Sequence, residues 1–326
     1  MRSAQVTVIL PAKDAEPYIG TTLETLLRQF DDPTAIKLVA IDDGSSDGTG
    51  DIMCSYAERF AHAEVVVNQH PNGLATARNQ GLAHVDTDAF CFIDGDDWMQ
   101  PHRLQVLTQR LAQLDCDFLR TDHVRVSGQD RRIVRAPHPW RDAVIPARDA
   151  ILPADDKTMV DYPFAWAGIF HRRLIDEGIA AFPDGLFTAE DRPWVWRLHL
   201  QARRFAVVDA PALLYRRGVA TSLTQVRDRR QLDFARAMEQ VLEIVAQDAE
   251  AERFFPKAVQ TVLALSSHHM VRSRRMHPAL RRDMRDSIRE LLTLLPADEA
   301  ASALKRLDGA RRRVLARSLR EAGRAA

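Results

Sequence analysis

Three carboxylates crowd the segment Ile93-Asp94-Gly95-Asp96-Asp97. At such spacing they repel one another unless a cation or hydrogen-bond donors compensate them. A hard divalent ion, Mg2+ or Mn2+, is one compensator, because it accepts one or two carboxylates and takes its other ligands from phosphate and water. The competing reading is an acidic turn, since Asp and Gly both favour turns. A helix–loop–helix calcium loop is excluded: counted from Asp94, the closing position that needs Glu is Gln105.

Other clusters carry similar pairs of readings. Asp42-Asp43-Gly44-Ser45 offers a carboxylate to a base or ribose, with Gly44 permitting close backbone approach to a ligand, or it is a turn feeding a helix. Gly73 opens a stretch of small residues ending in Arg78 and Asn79, where Arg78 either reaches a phosphate or is an ordinary surface arginine. Glu190-Asp191 precedes Pro193, which suits a first helical turn, so Asp191 is either a functional carboxylate or a plain N-cap. Tyr215-Arg216-Arg217-Gly218, with Thr221 and Ser222 following, is a diphosphate clamp or a solvated basic loop.

The elements around these clusters explain why they matter together. Residues 5–10, 37–41, 64–67 and 89–93 read as strands. Helical patterns lie between them: one entered at Pro17 with Ile19, Leu23, Leu26 and Leu27 on one face, one carrying Ile52, Tyr56 and Phe60, one at residues 74–85, and one at 101–114. This alternation predicts an α/β fold with a mainly parallel sheet flanked by helices. Ligands bind such sheets at the carboxyl ends of the strands. Pro11, Asp42–Asp43 and the 94–97 segment each follow a strand, so they are expected at one edge. Residues 117–220 read as an antiparallel or mixed extension. The chain turns helical near residue 227, with helices expected over 256–275, 279–295 and 298–323 and Pro278 and Pro296 as breaks. The division expected is a domain over 1–225, split near 115, and a smaller all-helical region over 226–326.

Bulk properties remove some classes. The 45 basic and 45 acidic residues cancel, which leaves no global field for nucleic acid. Cys54, Cys91 and Cys116 have no metal or redox spacing and fit free thiols of a reducing cytosol. The N-terminal apolar run is too short for a signal-peptide core, and no stretch approaches the roughly 20 apolar residues that span a bilayer. A cytoplasmic protein is expected, with any membrane contact peripheral at the inner face.

Taken in order, strand-Pro, strand-DDGSSDGT, GLATARN, strand-DGDDW, an ED pair and a basic loop, residues 5–225 resemble the inverting glycosyltransferases of family 2, which have the GT-A fold. The resemblance implies roles. Pro11 and Asp43 resemble nucleobase and ribose contacts, with Asp14 and Asp42 beside them. Gly73 and Arg78 fall on the donor side. Asp94, Gly95 and Asp96 match the family's D-x-D, with Asp94 and Asp96 toward Mn2+ or Mg2+ and Asp96 the direct ligand. Asp191 resembles the catalytic base, with Glu190 its neighbour in the ED pair. Arg216, Arg217 and Ser222 fall in the loop that closes over the diphosphate. Pro11-Ala12-Lys13-Asp14 departs from the family's frequent Pro-x-Tyr-Asn by lacking the aromatic.

The implied reaction moves a hexosyl or N-acetylhexosaminyl group from a nucleotide sugar, by family frequency a UDP-sugar, to an acceptor hydroxyl of a glycan, lipid-linked or small-molecule acceptor in polysaccharide, cell-surface glycan or glycoconjugate synthesis. The alternatives are a sugar-nucleotide nucleotidyltransferase, which would carry a Gly-rich loop with Arg after the first strand, and a non-catalytic sugar-nucleotide binder. Trp140, Trp166 and His171 are pocket candidates, with core packing the favoured alternative. In the last helix Leu304, Leu307, Val314, Leu315 and Leu319 share a stripe amid Lys305, Arg306, Arg311, Arg312 and Arg313. That stripe packs on the domain or a second copy, or it lies on an anionic membrane.

Overall fold

The first strand, β1 (Val6–Ala12), is buried along its whole length, as expected of a strand inside a parallel sheet covered on both faces. In the computed structural model, which describes residues 4–219 and 228–322 with side chains to residue 316, the chain then alternates. It runs through α1 (Glu16–Leu26), β2 (Ile36–Asp42), α2 (Thr49–Ala57), β3 (His62–Val67), α3 (Leu74–Ala83) and β4 (Ala89–Phe92). Pro17 lies at the start of α1, where its missing N–H costs nothing. After β4 come β5 (Trp98–Met99), α4 (Arg103–Leu114), β6 (Phe118–Arg120), β7 (His123–Ser127), β8 (Asp130–Val134), β9 (Ile145–Pro146), β10 (Gly168–His171) and α5 (Arg173–Asp176). Then follow α6 (Asp191–Gln201), β11 (Arg204–Val207) and β12 (Leu213–Arg216).

Among the described residues the strands form an eight-stranded sheet, ordered β3-β2-β1-β4-β10-β6-β11-β9, and a four-stranded sheet, ordered β5-β12-β7-β8. Strands β1 to β4 pair parallel. Strand β10 runs antiparallel to both β4 and β6, which makes the larger sheet mixed. Phe90, Phe118, Phe170 and Phe205 line up across this sheet with ring centroids 5.2–6.1 Å apart and form its buried middle.

The last part of the chain is helical: α7 (Asp233–Ala246), α8 (Ala251–Ser273), α9 (Pro278–Thr293), α10 (Ala297–Arg306) and α11 (Gly309–Ala322). The single helix expected over 298–323 is broken. Leu307 takes an extended conformation, and Asp308 Oδ1 accepts from the N–H groups of Ala310 and Arg311 to start α11. An Asp before a Gly is an N-cap that the apolar periodicity around it conceals. The stripe is thereby divided between two helices, with Leu307 and Leu315 buried inside the unit. Among the described residues no helix is long and apolar enough to cross a membrane.

The chain condenses into two units. The first comprises Met1–Arg148, Phe164–Gly185 and Gln201–Gln225, and the second Asp149–Pro163, Leu186–Leu200 and Val226–Ala326. The second therefore also recruits two earlier segments, which a reading along the chain does not foresee. The tethers are specific. Lys257 of α8, almost wholly buried, donates to Asp161 Oδ2 and to the Asp156 carbonyl, each at 2.6 Å. Asp233 Oδ2 accepts from the Phe187 N–H at 2.8 Å.

Candidate active site

The parallel register places the ends of β1, β2 and β4 at one edge. Ala12 pairs with Asp42, and Ile9 with Phe92. Pro11, the Asp42–Asp43 turn and the 94–97 turn therefore share the carboxyl edge of the sheet, the place where open α/β sheets hold ligands.

At the first turn the protein occupies its own carboxylates. Asp43 is 5% exposed, and its Oδ1 accepts from the Asn72 N–H at 2.8 Å and from Asn68 Nδ2 at 3.0 Å. Its Oδ2 accepts from the Gly73 N–H at 2.8 Å. Asp42 Oδ1 accepts from the Ser45 N–H at 3.0 Å. Asp14, at φ 48°, accepts from the N–H and Oγ of Ser46 at 2.7 and 3.0 Å. The Ser46 backbone hydrogen bond is the main reason its carboxyl sits below the usual range. Gly44 adopts φ 68°, and a Cβ there would come within 2.7 Å of the His70 carbonyl carbon and Pro71 nitrogen. Its need for glycine is thus met by the 68–73 loop of the protein itself, where the sequence pointed to a ligand.

The second turn is built differently. Arg78 of α3 is 3% exposed, and its Nη2 donates to Asp94 Oδ1 at 2.9 Å while its guanidinium lies 5.1 Å from the centroid of the Phe182 ring. Arg78 therefore braces the first carboxylate, a use that its spacing in sequence did not indicate. Gly95 fits tightly on β1, since a Cβ would come within 2.6 Å of Ala12 Cβ. Thr22 Oγ1 contacts the carbonyls of Gly95 and Asp97 at 3.0 and 2.6 Å. Asp96 and Asp97 receive fewer donors among the described residues: a backbone hydrogen bond at Asp96 and the Arg216 N–H at Asp97. Burial, then the Asp94 charge, pushes the Asp96 carboxyl up to about 6. Asp97 is fully buried and raised well above the ordinary value, first by burial and then by Asp96 and Asp94. Its Oδ1 accepts from the Arg216 N–H at 2.8 Å, and its Oδ2 has no hydrogen-bond partner among the described residues.

Arg216 is committed to this turn. Its Nε donates to the Asp96 carbonyl at 2.8 Å, and its guanidinium lies between the rings of Trp98 and Tyr18, 4.4 and 4.8 Å from their centroids. The next residue, Arg217, donates from Nη1 to the Tyr215 hydroxyl at 3.0 Å. The two arginines expected to act alike are therefore divided: one holds the acidic turn and the other the phenol beside it. Ser222 lies outside the described residues. Sequence reasoning did not find Thr22, Tyr18 or Trp98, because a hydroxyl and two rings at ordinary core spacing carry no mark of a distant acidic turn.

Glu190 and Asp191 belong to the second unit. Ala189 takes φ 61°, the Arg192 N–H donates to its carbonyl at 3.0 Å, and α6 starts at Asp191. Glu190 is 5% exposed. At a helix's first turn a carboxylate lies among N–H groups that have no helical partner, which favours its charged form.

The pocket candidates separate as well. Trp166 is 3% exposed inside an aromatic cluster, whereas Trp140 is 61% exposed. His171 pairs with Ala89, at the opening of β4, so it stands at the opposite end of that strand from Asp94. Among the described residues no three His, Cys, Asp or Glu side chains converge to hold a metal. The residues present suit an ion that takes only one or two carboxylates: Asp96 is raised by burial and by a neighbouring charge, and among the described residues no ion pair is formed with it, Arg216 acting only from a greater distance.

Comparison with known proteins accords with this geometry. The profile of the family described as Glycosyl transferase family 2 matches residues 7–177. The glycosyltransferase EpsJ of Bacillus subtilis is 28% identical over 230 residues, 70% of this chain and 65% of EpsJ. The poly(ribitol-phosphate) beta-N-acetylglucosaminyltransferase TarS of Staphylococcus aureus is 24% identical over 213 residues, 64% of this chain and 35% of TarS. The chain thus spans less than two thirds of the length of these relatives. In structure it resembles TarS residues 1-349 crystallised with UDP-GlcNAc, with a TM-score of 0.74 at 17% identity over 95% of this chain and 90% of that one. The same portion of TarS crystallised with UDP gives 0.73 at 17% identity, over 98% and 90%. This chain belongs to glycosyl transferase family 2 and has the GT-A fold.

Proposed function

We propose that this glycosyltransferase moves a sugar, with inversion, from a UDP-sugar to an acceptor hydroxyl, using Mn2+ or Mg2+ at Asp96 and Asp191 as general base. One observation carries the reading: at the ligand-binding edge of the sheet, the 94–97 turn holds the Asp96 carboxylate half-buried beside the charge of Asp94, and desolvation with that like charge outweighs its own backbone hydrogen bond and Arg216. Such a group is costly in isolation and is stabilised by a divalent cation. The UDP and UDP-GlcNAc complexes of TarS support a uridine donor. The substrate in the TarS name supports a hydroxyl-bearing polymer as acceptor.

In this reading the acceptor O–H gives its proton to the Asp191 carboxylate as its oxygen bonds the anomeric carbon. The bond from that carbon to the diphosphate breaks, and the diphosphate leaves with the electron pair. A divalent ion held by Asp96 would neutralise the leaving diphosphate. Arg78 and Arg216 keep the turn in place, and Asp43 holds the loop that begins α3. One-step displacement inverts the anomeric centre. The nucleotidyltransferase alternative lacks its Gly-rich loop after β1, where Pro11-Ala12-Lys13-Asp14 stands.

The test is a panel of nucleotide sugars assayed for nucleotide release and for the configuration of the product, with Mn2+, Mg2+ or EDTA. Release from a UDP-sugar that is lost in EDTA, with an inverted product, is expected. Full turnover in EDTA, or retention of configuration, contradicts the reading.

A further inference from the structure

Beside the acidic turn lies an aromatic cluster that the reaction above does not use. Leu214 of β12 pairs with Trp98 of β5 and with Val124 of β7, and Arg216 bonds Asp97. Tyr215, between them, is thus within one residue of the turn. Its ring centroid is 5.0 Å from that of Trp166 and 6.1 Å from that of Phe164. Phe164 and Trp166 stack at 4.9 Å, and His123 meets both edge-on at 4.8 Å.

Burial divides the four side chains into two layers. Trp166 and His123 are 3% and 2% exposed, whereas Phe164 and Tyr215 are half-buried. Core packing explains the lower layer. It leaves unexplained an upper layer of two rings that meet solvent beside three carboxylates. Arg217 completes the rim, with its guanidinium 5.5 Å from the Tyr215 ring centroid. Small-molecule sites have this composition: an aromatic wall and a few polar groups that fix orientation. A pyranose ring matches it, since its axial C–H groups form an apolar face and its hydroxyls project from the edge.

We propose that Phe164 and Tyr215, backed by Trp166, form a stacking wall for a pyranose, either the sugar of the nucleotide donor or that of the acceptor. The inference rests on the nucleotide-sugar reading above and adds the surface that recognises the sugar.

UDP separates the two claims, because it carries the nucleotide and diphosphate but no pyranose. Calorimetry with Mn2+ would compare UDP and the UDP-sugar that the wild-type enzyme turns over, beginning with UDP-GlcNAc, on wild type, Phe164→Ala and Phe164→Leu. Phe164→Ala is expected to weaken the UDP-sugar about tenfold and to leave UDP within about twofold, the scale of one aromatic contact. Phe164→Leu keeps apolar bulk and serves if the alanine variant does not fold. Unchanged donor affinity with an acceptor KM raised about tenfold, and kcat kept at saturation, assigns the wall to an acceptor pyranose. Equal losses for UDP and the UDP-sugar, or no change in donor affinity or acceptor KM, overturn the inference. Failure of wild type to bind UDP and every UDP-sugar would instead count against the donor reading.

Discussion

Two neighbouring regions of one sheet end in nearly the same residues, Asp42-Asp43-Gly44 after β2 and Asp94-Gly95-Asp96-Asp97 after β4, and the fold treats them in opposite ways. After β2 the carboxylates are engaged internally: Asp43 collects donors from Asn68, Asn72 and Gly73, and Asp42 one from Ser45. After β4, Arg78 serves Asp94 and the Arg216 N–H serves Asp97, while Asp96 is still raised to about 6 and Asp97 well above its ordinary value. The first region is an anchor that shapes the approach to α3. The second crowds carboxylates in a desolvated place with only partial compensation, which is how a cation site is prepared. Composition does not separate a structural carboxylate from a ligand-ready one. The separation lies in where the donors come from, and those of Asp43 are 25 to 30 residues away.

The largest effect is expected at a third carboxylate, outside both turns. If the acidic turn serves the leaving group, proton removal falls to Asp191, and Asp191→Asn should lower transfer by about two to four orders of magnitude with UDP affinity retained. Steady-state transfer and calorimetry on Asp191→Asn and Glu190→Gln decide this. Near-normal transfer in Asp191→Asn removes the assignment, and a selective collapse in Glu190→Gln moves it by one residue.

The anchor should break by unfolding. Asp43→Ala removes the acceptor of two part-buried N–H groups and an amide, so a loss of about 1–3 kcal/mol in denaturant unfolding is expected. Gly44→Ala should also destabilise, because its φ of 68° and the 2.7 Å approach to the 70–71 backbone leave no room for a methyl group. Variants as stable as wild type would show that this turn is not the anchor described.

A smaller effect, of opposite sign, belongs to Asp97. Its folded value lies above its unfolded one, so its protonated form stabilises the fold at low pH and that contribution is lost as pH rises through the raised value. Asp97→Asn removes the charge while Oδ1 can still accept from Arg216. The Tm of Asp97→Asn relative to wild type should therefore improve from pH 5 to pH 8. A relative Tm that falls over this range contradicts the account of the turn.

Much of the fold was legible in the sequence because β1 to β4 and their helices carry clean periodicity and Pro17, Gly73 and Pro193 mark helix starts. The break at Asp308 was hidden by a stripe that continues across it in sequence though not in space. The convergence of three clusters on one edge followed from strand polarity. The division of labour did not: Arg78, Arg216 and Gly44 were legible as ligand-facing residues because Arg and Gly near carboxylates are what a diphosphate site requires, and their part in holding the turns shows only in tertiary contacts. Thr22 and Tyr18 act through tertiary contacts that no local pattern encodes.

The most direct test of the central claim is calorimetric binding of UDP to wild type and Asp96→Asn, with and without Mn2+, at pH 7.5. The account predicts that Mn2+ tightens UDP binding to wild type by about tenfold or more, the scale of one strong charge interaction, and leaves binding to Asp96→Asn unchanged while both proteins melt alike. The same enhancement by Mn2+ in Asp96→Asn, or none in wild type, would contradict it.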